Sequence, residues 1–243
     1  MLALQVSSTS FAEEREILAV GTEFAYLFEK NANAEAQGFA VDILKTLAQR
    51  SGYKLRFEFY PWARAQYMVE QGQAQILIGP YKTPQHEQKF NFAQRPFYRD
   101  QMVFYVRKGE GRSWQGYYPN LYNQRVAVVQ GWVYGDEFEK HQARFKLSTV
   151  TNLSTGLSLL VAGRFDYLAA NIRNTKGILR TWRADKDLIA LDTGIKQQDG
   201  YFAYCKSGYC DVLRQHFEHG FQELIASGEM AKLAKSYPLK FPG

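Results

Sequence analysis

The chain has 243 residues, 46% of them hydrophobic and 22% charged, with a formal net charge of +6. That length buries a sizeable core in one domain or two, and no apolar run approaches the roughly 20 residues of a membrane-spanning helix. The lysines and arginines are scattered among acids rather than gathered into a patch or stripe, which argues against a nucleic-acid partner.

Residues 1–12 (MLALQVSSTSFA) end in Ser-x-Ala ahead of Glu13 and Glu14, as at a signal-peptidase site, but they lack a positive start and their apolar run is short. Two readings stand, the remnant of a secretory leader or a disordered N-terminus. Ile17 to Val20 predicts a short strand, and residues 21–26 (GTEFAY) a loop rich in side chains able to touch a ligand. Ala40, Leu44, Leu47 and Ala48 mark one helical face ending at Gly52. Tyr53, Leu55, Phe57 and Phe59 alternate with Lys54, Arg56 and Glu58, the period of a strand, and Pro61 then opens a helix that ends near Gly72.

Ile76, Leu77 and Ile78 suit a strand buried on both faces, which Gly79 and Pro80 are expected to stop. Thr83 followed by Pro84 reads as a capped helix start. Strand, turn and capped helix N-terminus form a layout in which N–H groups face a bound anion or carboxylate, and it places Gly79, Tyr81 and Thr83 among the candidate ligand contacts. Further strands are predicted at Met102 to Val106, Arg125 to Val129, Leu188 to Leu191 and Tyr201 to Tyr204, with residues 109–123 as a long surface connection. Helices are predicted from Ser154 to Gly163, Asp211 to Ser227 and Glu229 to Ser236. Cys205 and Cys210 bracket a short turn, and a disulfide across it is expected if the protein is exported.

The phosphate-binding, dinucleotide, zinc-protease and hydrolase motifs are missing, and His216 and His219 have no companion ligands, so neither a cofactor nor a metal is expected.

The order strand, turn, Thr-Pro, short helix and Asn91-Phe92-Ala93 to Pro96-Phe97-Tyr98 resembles the family-3 extracellular solute-binding proteins, receptors of polar amino acid ABC importers. The helix beginning Gly38-Phe39-Ala40-Val41-Asp42, the run Val126-Ala127-Val128-Val129-Gln130-Gly131 and the run from Gly163 to Asn171 are similar to three further family patterns, so the likeness covers nearly the whole chain from about Ile17. It implies an α/β, two-lobed type II periplasmic binding protein fold, each lobe a mostly parallel sheet flanked by helices. Residues 13–100 and 199–243 would form lobe 1 and residues 101–198 lobe 2, joined by two crossing segments. It also implies a periplasmic, monomeric receptor for a small solute, with an ABC permease as partner.

Residue by residue, the resemblance puts stacking aromatics at Tyr26 and Trp62, although Tyr26 also reads as core. It puts His86 where the family has its carboxylate-clamping arginine, Gly131, Trp132 and Val133 where it has small hydroxyl residues, and Asn171 where it has the acid that grips an α-ammonium. Asp166 matches a structural acid. Arg64, one turn into its helix, is either a replacement clamp or a solvated surface arginine. The expected ligand is therefore a polar solute other than a free α-amino acid bound in the usual way. Periplasmic dehydratases share the fold, and for an enzyme Glu23 and His86 are the general acid or base candidates. A free-standing sensory module is the third reading.

Overall fold

The computed structural model describes residues 16–110, 113–183 and 187–242. The expected leader remnant, residues 1–12, lies outside the described residues. In chain order the elements are strand β1 (Glu16–Gly21), strands β2 (Glu29–Lys30) and β3 (Ala36–Gln37), helix α1 (Phe39–Ser51), strand β4 (Lys54–Phe59), helix α2 (Trp62–Glu70), strand β5 (Ile76–Tyr81), helix α3 (Pro84–Lys89) and strand β6 (Asn91–Phe92). There follow strands β7 (Tyr98–Arg107) and β8 (Arg125–Val129), helix α4 (Asp136–His141), strand β9 (Lys146–Val150), helix α5 (Leu153–Val161), strand β10 (Tyr167–Asn171), helix α6 (Ile172–Trp182), strand β11 (Leu188–Tyr204), and helices α7 (Gly208–Ala226) and α8 (Glu229–Lys235).

One mixed sheet runs through the molecule in the order β4-β1-β5-β11-β7-β10-β8-β9, with β6 also paired to β11 and a separate β2-β3 ribbon. At its two ends the pairs are parallel, β1 with β4 and β5, and β8 with β9 and β10. In the middle, β7 and β11 lie antiparallel and pass from one end to the other. The fold is the α/β periplasmic binding protein type II arrangement, and β7 and β11 are its crossing segments.

The two ends have separate cores. One gathers Ile17 to Val20, the inner face of α1, Ile76 to Ile78, Phe97, Phe202 and the apolar face of α7. At the other end side-chain alternation divides each strand between two faces. Met102, Phe104, Val106, Val126 and Val128 pack on one side, and Val103, Tyr105, Ala127, Val129 and Leu168 on the other. The helices form where their sequences allow. Gly52 closes α1 in the left-handed conformation, Thr83 caps α3 by accepting from the His86 N–H, and Asn152 caps α5 through the Thr155 N–H.

Three expectations change. Strand β5 does not stop at Gly79 and Pro80 but runs on to Tyr81. Its ladder to β1 ends at Leu77 and its register to β11 shifts between Ile78 and Tyr81, so Pro80, which lacks an N–H, falls at an irregularity where it is tolerated. The strands read at Leu188 to Leu191 and Tyr201 to Tyr204 are the ends of a single 17-residue strand, because the polar residues between them pair with β7 despite register shifts near Gly194. The connection over residues 109–123 is not simply surface, for Trp114, Tyr118 and Leu121 are buried and cover one face of the second core. Cys205 and Cys210 are joined, with Cα atoms 5.7 Å apart, at the start of α7.

Candidate functional site

The groove between the two ends of the sheet is built from the loops after β1, β4 and β5 on one side and those after β8, β9 and β10 on the other. This is where α/β sheets present their carboxyl ends to ligands. It divides into two parts with Trp62 between them.

The inner part is nearly filled. Phe24, Trp62, Gly79, Tyr81, His86 and Tyr98 face Gly131, Trp132, Val133 and Asn171 across a residual volume of about 20 Å³, which is room for roughly one water. Phe24 and Trp62 meet edge to face at 5.4 Å. The Trp62 indole N–H donates to the Gly131 carbonyl at 3.2 Å, a direct bond between the two ends of the molecule. Gly131 holds φ +75°, and a Cβ there would sit 3.2 Å from the Trp62 ring, so both conformation and clearance favour glycine.

His86 is oriented from both ring nitrogens. The Tyr81 carbonyl, 2.8 Å from Nδ1, can only accept, so Nδ1 carries a proton, and Nε2 faces the Gln66 amide nitrogen at 3.3 Å. The Asn171 side-chain oxygen accepts from the Asn174 N–H as the cap of α6, so that oxygen holds a helix.

Beneath these residues lies a buried polar network that the sequence reading missed. The Arg173 guanidinium grips Asp100 in a bidentate pair at 2.9 and 2.7 Å, with side chains 7% and 3% exposed. Tyr81 donates to the same carboxylate at 2.8 Å, and Tyr98, under the guanidinium at 5.1 Å, donates to the Gly79 carbonyl at 2.6 Å. Burial first, then the Asp100 charge, pushes both phenols well above their ordinary pKa. Burial opposes the charge on Arg173, but Asp100 and the two phenols outweigh it and hold the guanidinium above its usual value. Arg173 also donates to the Ala25 carbonyl at 2.7 Å, while the Ala25 N–H donates to the Asn174 side-chain oxygen at 3.0 Å. The loop after β1 is thus held on both backbone groups by the start of α6.

The outer part is wide, about 1010 Å³, at the top of the roughly 300–1,000 Å³ range of small-molecule sites. On one wall stand Glu23, Glu29, Lys30, Phe59, Tyr60 and Trp62, and on the other Gln130, Trp132, Thr151, Asn152, Ser154, Asn174, Thr181 and Trp182. Among the described residues the charged groups of this lining are two carboxylates and one ammonium, a formal net of −1, and Glu23 and Lys30 are already 3.5 Å apart.

The predicted contacts separate on this geometry. Trp62, Gly79, Tyr81, His86, Gly131, Trp132, Val133 and Asn171 are brought together around the inner part. Thr83 is one step back, serving as the cap of α3. Glu23 lines the outer part and not the inner one, so it and His86 do not face a common space. Tyr26 does not join them. At φ +64° it turns to a different hollow beside Arg99 and Arg173, and Phe24 takes the aromatic place. Arg64 is exposed and lies over the Tyr67 ring at 5.5 Å, because it sits about 200° around the helix from Trp62. Asp166 binds Arg125, and Asp42 accepts from Tyr237, both structural contacts. His216 pairs with Tyr53 and His219 with Glu223, and no cluster of metal-ligating side chains occurs among the described residues.

A family model for bacterial extracellular solute-binding proteins, family 3, matches residues 18–240. Among solved structures, a histidine kinase sensor domain with similarity to periplasmic binding proteins superposes with TM-score 0.83 at 18% identity, covering 94% of this chain and 99% of that one. A mutant of the T. maritima protein ArgBP gives TM-score 0.77 at 20% identity over 91% and 94% of the two chains. The substrate binding protein of an amino acid ABC transporter gives 0.77 at 20% identity over 92% and 99%. No curated protein matches the sequence.

Proposed function

The chain belongs to the bacterial extracellular solute-binding proteins, family 3, and from that premise we propose that it is a periplasmic receptor that captures a small polar solute between its two lobes and delivers it to an ABC permease. It acts as a monomer, without a cofactor, and its Cys205–Cys210 pair is oxidised in the exported protein. The observation that carries this reading is the outer cleft, walled from both lobes by aromatic faces and hydrogen-bonding side chains. A solute seated there touches both lobes at once, so its binding favours the closed arrangement, which is how occupancy becomes a shape that a partner reads.

The walls also narrow the solute. Among the described residues no arginine lines either part of the groove and the outer one has a formal net of −1, so a free carboxylate meets no unpaired cation there. Trp62, Trp132 and Trp182 offer flat faces, and Asn152, Ser154 and Thr181 offer hydroxyls and an amide. A ring-bearing polar solute, neutral or cationic, fits these walls better than a standard α-amino acid.

A thermal-shift screen of the chain from Glu13 onward, against amino acids, organic acids, polyamines, short peptides and small ring-bearing polar compounds, tests this. A ligand at 100 times its dissociation constant adds about 2.7 kcal/mol. Stabilisation by a compound recovered unchanged supports a receptor, and its consumption identifies an enzyme. Tight binding of a common L-amino acid through Asn171 and His86 would overturn the solute class. The likeness to a sensor domain favours a second reading, in which the loaded receptor reports to a membrane sensor, and co-purification with a permease or a kinase separates the two.

A further inference from the structure

Helix α6 has two working faces. Asn174, Gly177, Ile178 and Thr181 look into the outer cleft, whereas Arg173, Lys176 and Arg180, spaced three and four apart, look the other way. On that second side they line a hollow of about 440 Å³, closed by Arg99 and Gln101 of the crossing strand β7 and by Lys240 of the C-terminal tail. The tail is fixed there by the Arg99 N–H donating to the Lys240 carbonyl at 2.9 Å.

The charges in this hollow are unbalanced. Arg173 is satisfied by Asp100, and Arg99 by Asp199. Lys176, Arg180 and Lys240 have no carboxylate partner among the described residues. Other surface cations are paired in places, as in Arg125 with Asp166, Arg107 with Glu110 and Lys89 with Glu70, so what marks this hollow is that three exposed cations and the buried Arg173 line one space. Lys176 and Arg180 are like charges one turn apart, an arrangement that weakens a helix unless an anion sits between them. We propose that this hollow is a binding site for a small oxyanion carrying two or more negative charges, of the phosphate type, held by Lys176, Arg180 and Lys240 over the buried Arg173.

The site differs from the solute cleft and does not depend on which solute that cleft takes. Its cations come from both lobes, Lys176 and Arg180 from α6 and Lys240 from the tail that packs on the first core. An anion bridging them interacts with the closed arrangement and loses part of its shell when the lobes part, so it draws α6 toward the loop after β1. Anion and solute then favour each other's binding reciprocally.

The test is thermal unfolding of the full chain titrated with inorganic phosphate against sodium chloride of equal ionic strength. Phosphate at about ten times its dissociation constant should raise Tm by about 3–6 °C beyond the chloride control. The double variant Lys176→Gln, Arg180→Gln should lose that shift, and the equal-charge control Lys146→Gln, Arg164→Gln should keep it. Hydrogen exchange at the Ala25 amide, which donates to Asn174, should slow when phosphate is added. No shift beyond chloride overturns the proposal, as does a shift retained by the Lys176 and Arg180 variant. Binding only to vesicles rich in anionic lipid, with none to free phosphate, overturns the small-ligand form.

Discussion

The inner and outer parts of the groove share Trp62 and Trp132 as a common wall, yet one holds about 20 Å³ and the other about 1010 Å³. The inner part carries the residues that a family pattern picks out, and it is closed by the chain's own aromatic rings and by the Trp62 bond to Gly131. Apart from Glu23 and the two shared tryptophans, the outer part is made of residues that no pattern singles out. The difference teaches that a site can keep its place in the fold while the space available to a solute moves sideways, as large side chains take over positions that small ones would leave open.

The comparison breaks first at its floor. Asp100→Ala leaves Arg173 as an unpaired buried cation and frees Tyr81, and removal of one partner of such a pair costs about 3–5 kcal/mol. Urea unfolding measures this, and a loss under 1 kcal/mol would mean the network does not hold the inner part together. Trp62→Ala should cost less, about 2–3 kcal/mol, because the ring is only partly buried. It also merges the two parts of the groove, so calorimetry with a solute found by screening should show weaker binding. Unchanged affinity would remove Trp62 from the site.

Replacing Cys205 and Cys210 by serine serves as the control far from the groove. The closed loop is short, and chain-entropy reasoning gives a loss of roughly 2 kcal/mol with solute affinity unaltered. The smallest effect concerns acid. The Arg125 hydrogen bond first, opposed by partial burial, holds the Asp166 carboxyl below its usual range. Its contribution is present above the ordinary carboxylate pKa and is lost as pH falls through the lowered native one. Asp166→Asn should therefore flatten the acid limb of stability below about pH 4 by at most about 1 kcal/mol in this partly exposed pair, as urea midpoints would show.

What the sequence discloses follows periodicity. The α1, α7 and α8 helices and the strands near Ile17, Leu55, Ile76 and Val126 stand out because their apolar spacing matches their burial. Helix α6 does not, since its buried positions are Asn174, Thr175 and Leu179, two of them polar, and Arg173, Lys176 and Arg180 are interspersed with them. Strand β9 is likewise hidden, with four of its five residues exposed. Polar residues between Gly194 and Gly200 conceal the middle of β11, whose strand conformation is imposed by β7 rather than by its own propensity. At the site, eight of the ten residues around the inner part are legible by motif. Of the two readings of Arg64 the structure gives the surface one, as its rotation from Trp62 around the helix already implies, and Tyr26 is turned away by a local conformation that spacing does not show. Arg173 lies two positions past the recognised Asn171, and its partner Asp100 is 73 residues away, so only folding brings the pair together.

Strand β11 is 17 residues long and hydrogen-bonds along β7 from Leu188 to Gly200 before pairing with β5. Neither lobe can fray at the crossing without tearing a ladder that belongs equally to the other. The lobes, though each has its own core, should therefore melt in a single calorimetric transition, and the amides of β11 should be among the last in the chain to exchange.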